Sequence, residues 1–128
     1  MTKGLTHIYT GDGKGKTTAA MGLALRALGA GHTVRIFQFC KSQPSGELVS
    51  LEKLAPGILR RADCEIKKFS WDMTAEEKAV WAEAQQALFD DACDAACDRH
   101  VDMVILDEAL GAVSGGAIDP GQLAYLMG

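Results

Sequence analysis

Thr10-Gly11-Asp12-Gly13-Lys14-Gly15-Lys16-Thr17-Thr18 is the stretch that decides the fold of this chain. Before it, Leu5–Thr10 (LTHIYT) alternates apolar and polar residues, as a strand does. After it, Lys16–Leu28 is rich in Ala, Leu and Met, with Met21, Leu25 and Leu28 on one helical face; Gly29 and Gly31 end that helix. Gly11, Gly13 and Gly15 allow backbone conformations barred to other residues and a close approach to a ligand. Their N–H groups can then converge on phosphate oxygens at a helix N-terminus, where the helix dipole adds to the attraction. Lys16 would reach the terminal phosphates of a nucleoside triphosphate, read as ATP, and the Thr17 hydroxyl would complete a Mg²⁺ shell. One position departs from the strict phosphate-loop pattern: Thr10 stands where a glycine is expected, five residues before Gly15.

Outward from this loop, Thr33–Phe39 (TVRIFQF) reads as a second strand, followed by a loop over Lys41–Glu47 with Pro44 and Gly46. Glu47–Leu54 predicts a short helix that Pro56 and Gly57 break, and Cys64–Phe69 a third, partly exposed strand. Thr74 and Glu77 have the spacing of a capping box, and Trp81, Ala84, Leu88, Ala92 and Ala95 continue as an apolar stripe toward Arg99. Met103–Leu106 (MVIL) is wholly apolar, as a buried parallel strand is, and ends in Asp107 and Glu108. Asp119 and Pro120 suit the N-cap and first position of a last helix. Strands alternating with helices imply one α/β domain over residues 1–128, with a mostly parallel sheet flanked by helices. Ligands of such sheets bind beyond the carboxyl ends of the strands, where the glycine-rich loop lies.

Asp107 bears on the same site. A carboxylate ending a buried apolar strand needs a partner, and a Mg²⁺ ion held through water supplies one, as at a Walker B position. The alternative is an N-cap or turn aspartate. Glu108 is a candidate base for water in a hydrolase, or a residue that orients a neighbour.

The 128 residues carry a formal net charge of −4, which argues against a nucleic-acid surface or an anionic-membrane binder. No apolar run reaches the length of a membrane span and the N-terminus lacks a signal-peptide core, so the expected address is cytoplasmic. Cys40, Cys64, Cys93 and Cys97 match no zinc module and read as reduced, buried thiols. Cys93 and Cys97, one helical turn apart, could alternatively face a soft metal. His7, His32 and His100 form no evident nucleophile–base constellation.

Taken together, several stretches resemble the ATP:corrinoid (cob(I)alamin) adenosyltransferases of the CobA/BtuR/CobO type. Tyr9–Ala20 is similar to that family's phosphate loop, including its off-pattern spacing. Arg26 within Leu25–Gly29, Gln38-Phe39-Cys40-Lys41, Phe69-Ser70-Trp71 and Val104–Glu108 follow in the family's order. The resemblance implies a P-loop NTPase fold of the RecA-like kind and a reaction other than phosphoryl transfer. A Co(I) corrinoid attacks the ribose 5′ carbon of ATP, forming a cobalt–carbon bond and releasing triphosphate. Thr10–Thr18 would then hold ATP, reversed relative to most P-loop enzymes, with Arg26 and Glu108 as an ion pair near the nucleotide. Thr17 and Asp107 would serve Mg²⁺, and Lys16 would stabilise the leaving triphosphate. Phe69 and Trp71 would crowd the lower face of the corrinoid and leave cobalt four-coordinate; without the resemblance they read as core aromatics. The implied partners are an electron-donating reductase or flavodoxin-like protein and a second copy in a homodimer. Family members continue past the Asp119 helix into further strands, whereas this sequence ends at Gly128. The expectation is thus a short form lacking the C-terminal strands, or one whose sheet edge a partner completes. A P-loop ATPase or kinase, and a non-catalytic ATP- or corrinoid-binding homologue, are the alternatives.

Overall fold

The computed structural model describes residues 5–9, 14–39, 46–61 and 73–127. The elements are β1 (Leu5–Tyr9), α1 (Lys14–Gly29), β2 (Val34–Gln38), α2 (Gly46–Leu54), β3 (Leu59–Arg61), α3 (Ala75–Cys97), β4 (Met103–Asp107), α4 (Ala109–Ser114) and α5 (Pro120–Met127). The strands pair in parallel as one sheet in the order β1-β4-β2-β3. The all-apolar run that ends in Asp107 is therefore an inner strand, and all five of its residues are buried.

The pleat sends alternate residues to opposite faces. Val34, Ile36, Met103 and Ile105 pack with Ala20, Met21, Ala24 and Ala27 of α1 and Leu48 and Leu51 of α2. Phe37, Val104 and Leu106 pack on the other face with Leu88, Phe89 and Ala92 of α3 and Ala109 and Ala112 of α4. The helix leaving β1 and the helix leaving β4 thus cover opposite faces, although β1 and β4 are neighbours. Ligands of open α/β sheets bind where helices diverge in this way, beyond the carboxyl ends of the strands.

Local chemistry explains most boundaries. Thr74 Oγ1 accepts from the Glu77 amide at 3.1 Å, and Glu77 Oε1 accepts from the Thr74 amide at 3.0 Å, so the capping box opening α3 is complete. The Asp119 carboxylate accepts from the Gly121 amide, and Gln122 reaches back to the Asp119 amide, capping α5 in the same manner. Helix α1 ends in a Schellman motif. His32 N–H bonds to Ala27 C=O and Gly31 N–H to Leu28 C=O, which requires the left-handed backbone of Gly31 (φ +85).

One expectation is corrected, and two further elements are found. Leu25 is 52% exposed, because the α1 face turned to the sheet is Met21 with Ala20, Ala24 and Ala27, and the three alanines let the helix approach closely. The third strand described is Leu59–Arg61; the stretch expected to form it, Cys64–Phe69, lies outside the described residues. The glycine-rich stretch after Glu108 contains α4, whose fully buried Ala109 and Ala112 anchor it.

Candidate functional site

Parallel pairing places four strand ends in one row. Tyr9 stands opposite Asp107, Asp107 opposite Gln38, and Gln38 opposite Arg61. Each is the last residue of its strand, so the row marks the carboxyl edge of the sheet. Residues 10–13 connect Tyr9 to α1, which begins at Lys14. The amides of its first turn have no acceptor within the helix and carry the positive end of its dipole. Gly15, Lys16, Thr17 and Thr18 belong to these first turns.

Asp107 is 1% exposed at the end of a strand buried throughout. It shares pleat parity with Met103 and Ile105, the residues of β4 that pack toward α1. Helix α4 starts at Ala109, so the residue preceding it is Glu108 and Asp107 is a strand residue, not its N-cap. Gln38, fully buried, approaches Asp107 Oδ2 through its amide nitrogen at 3.4 Å. Arg61 Nε donates to Gln38 Oε1 at 3.0 Å. Burying a carboxylate without donors or a cation would cost several kcal/mol, of order ~3 or more. Glu108 is half-buried and adopts φ +64, a left-handed conformation that costs a residue with a Cβ roughly 1–2 kcal/mol.

Among the residues expected at the site, the structure brings the start of α1 and Asp107–Glu108 to one edge. Arg26 is elsewhere: it is exposed in the last turn of α1, about 18 Å along the helix axis from Lys14, toward the amino ends of the strands. Arg26 and Glu108 are not paired with each other; a close contact at the amino edge is instead that of His32 Nδ1 with the Asp102 carboxylate, 3.5 Å away. Thr10, Gly11, Asp12, Gly13, Phe69 and Trp71 lie outside the described residues, as do Cys40 and Cys64.

Cys93 is half-buried and Cys97 exposed on α3, which corrects the expectation of buried thiols for Cys97. Burial, with Asp90, Cys97 and Asp94 nearby, pushes the Cys93 thiol up from its ordinary range. No group of three or more metal-ligating side chains occurs among the described residues. A hollow of about 430 Å³ opens between β3 and α3, lined by Arg60, Arg61, Glu83, Leu88 and Asp91. Its opposed charges and its place on the flank of the sheet give no convergent phosphate cradle, so the candidate site is the carboxyl edge.

Arg61 carries no sequence signal of a site, and Gln38 reads in sequence only as part of a strand-end motif. The available signal was an amide ending an otherwise apolar strand, VRIFQ.

The family described as ATP:corrinoid adenosyltransferase BtuR/CobO/CobP matches residues 2–128. The corrinoid adenosyltransferase of Escherichia coli (strain K12) is 38% identical over 113 residues, 83% of this chain and 52% of that protein. Corrinoid adenosyltransferase CobA of Salmonella typhimurium is 37% identical over the same shares. The corrinoid adenosyltransferase of Pseudomonas aeruginosa is 30% identical over 124 residues, 91% of this chain and 56% of that protein. The chain spans about half the length of the curated relatives it matches.

Proposed function

This chain belongs to the ATP:corrinoid adenosyltransferase family, and we propose that it transfers the 5′-deoxyadenosyl group of ATP to a Co(I) corrinoid, cob(I)alamin or a relative. The observation that carries this reading is the register of Tyr9 and Asp107, which sets a buried carboxylate beside the exit toward the glycine-rich loop. The architecture around it, a parallel sheet flanked by helices, fits the P-loop NTPase fold of the RecA-like kind.

The chemistry asks little nucleophilic help from the protein. The electron pair of Co(I) forms the bond to C5′, the C5′–O bond breaks, and its pair departs with triphosphate. What the chain must supply is leaving-group stabilisation and alignment. Gly11, Gly13, Gly15 and the first-turn amides would surround the triphosphate oxygens, with Thr10, Asp12, Lys14 and Thr18 in the same loop. Lys16 would neutralise their charge. A buried oxygen donor at this edge fits a hard cation, so Thr17 and Asp107 would hold Mg²⁺, directly or through water. Bound there, Mg²⁺ would offset the developing charge of the departing triphosphate. Glu108 would act beside Asp107. Phe69 and Trp71 would press on the lower face of the corrinoid and leave cobalt four-coordinate, easing its reduction. A reductase or flavodoxin-like electron donor, a homodimer and a cytoplasmic setting complete the proposal; among the described residues no helix is long and apolar enough to cross a membrane.

Trp71→Ala tests the corrinoid role. Adenosylation should fall by an order of magnitude or more, on the order of 10-fold, while ATP affinity stays at the wild-type value. Equal loss of both would overturn the assignment.

A further inference from the structure

We propose that Arg61 and Gln38 form a positioning relay that fixes the carboxylate of Asp107 for a nucleotide-bound cation. The inference rests on the reading of Asp107 given above and adds two residues to it.

The three residues end three adjacent strands and stand directly opposite one another across two parallel ladders. Arg61 Nε to Gln38 Oε1 is 3.0 Å, and Gln38 Nε2 to Asp107 Oδ2 is 3.4 Å. The chemistry gives the row a direction. A guanidinium only donates, so the amide oxygen must face Arg61. An ionised carboxylate only accepts, so the amide nitrogen must face Asp107. Gln38 is fully buried, and its amide orientation is thus set by its two neighbours rather than by solvent. Without the Arg61 donor the amide loses the anchor on Oε1 and, held by the carboxylate alone, is free to tilt within its pocket. Asp107 would then rotate away from the orientation the cation needs. Arg61 is half-exposed on β3, the outermost strand among the described residues, and it reaches Asp107 through the Gln38 amide.

The test measures the Mg²⁺ concentration giving half-maximal ATP binding, by calorimetry at fixed ATP, and ATP affinity in EDTA. Arg61→Ala and Gln38→Met should each raise the Mg²⁺ half-point by about 3- to 10-fold, the range expected for one hydrogen bond to a charged group. Affinity in EDTA should be unchanged. Arg61→Lys, whose ammonium can still donate to Oε1, should recover at least half of the shift. A role confined to stability would instead lower the melting temperature and leave the Mg²⁺ half-point alone. Should Gln38→Met not fold, the Arg61 pair decides, since that residue lies at an edge. Wild-type Mg²⁺ half-points in Arg61→Ala, with Asp107→Asn shifted, overturn the relay and leave the reading of Asp107 standing. An Asp107→Asn protein with the wild-type Mg²⁺ half-point overturns both.

Discussion

Tyr9 and Asp107 end their strands opposite one another across the β1–β4 ladder. The chain leaving Tyr9 enters the glycine-rich loop, and the chain leaving Asp107 turns at once into α4 on the other face of the sheet. Removing the Asp107 charge while keeping its shape isolates what this juxtaposition does. Asp107→Asn should weaken Mg²⁺-dependent ATP binding by about 10-fold or more, equivalent to ~1.4 kcal/mol. Calorimetric titration with and without Mg²⁺ checks it, and ATP binding in EDTA should change little.

Glu108 follows with φ +64, a conformation that suits glycine. Glu108→Ala keeps the backbone cost, whereas Glu108→Gly removes it, and both delete the side chain. The glycine variant should therefore be more stable than the alanine variant by about 1 kcal/mol in urea unfolding. Adenosylation should fall equally in the two. Equal stability would show that the left-handed turn is not held in solution.

At the start of α3, Thr74 and Glu77 satisfy each other's amides. Thr74→Ala should cost about 1 kcal/mol, read as a lower urea midpoint with an unchanged slope. The site lies at the sheet edge, so ATP affinity should be preserved.

The raised pKa of Cys93 makes its thiolate scarce at neutral pH. Iodoacetamide at pH 8 should modify Cys93 more slowly in the folded chain than in urea. The sign follows from linkage. The unfolded thiol deprotonates first, so Cys93 lowers stability as pH rises above its unfolded value of about 8.5, and contributes nothing below it. Cys93→Ser should lessen that alkaline loss.

Features encoded locally were legible in the sequence. The capping box of α3, the glycine stop of α1 and the apolar run of β4 each depend on residues within one or two turns, and each appears where expected. Strand β3 was not legible, because three residues with two arginines carry no period. It is defined by pairing with Ile36–Gln38 and by the Glu52 carboxylate, which accepts from the Gly57 and Leu59 amides. On α1, Met21 and Leu28 pack toward the sheet as expected, whereas Leu25 does not: beside Met21 the sheet takes Ala20, Ala24 and Ala27, whose small side chains allow close approach. Arg26 looked like a site residue from its motif, but α1 carries it to the far edge of the sheet. The Arg61–Gln38–Asp107 row joins residues up to 69 positions apart and exists only once the strand order is known.

The most direct test is an anaerobic reaction of this chain with chemically reduced cob(I)alamin and MgATP, following adenosylcobalamin and triphosphate together. Both products are expected in equal amounts, with Lys16→Ala slower by on the order of 100-fold. ADP or phosphate as the nucleotide product, or ATP binding with no adenosylcobalamin formed, would contradict adenosyl transfer.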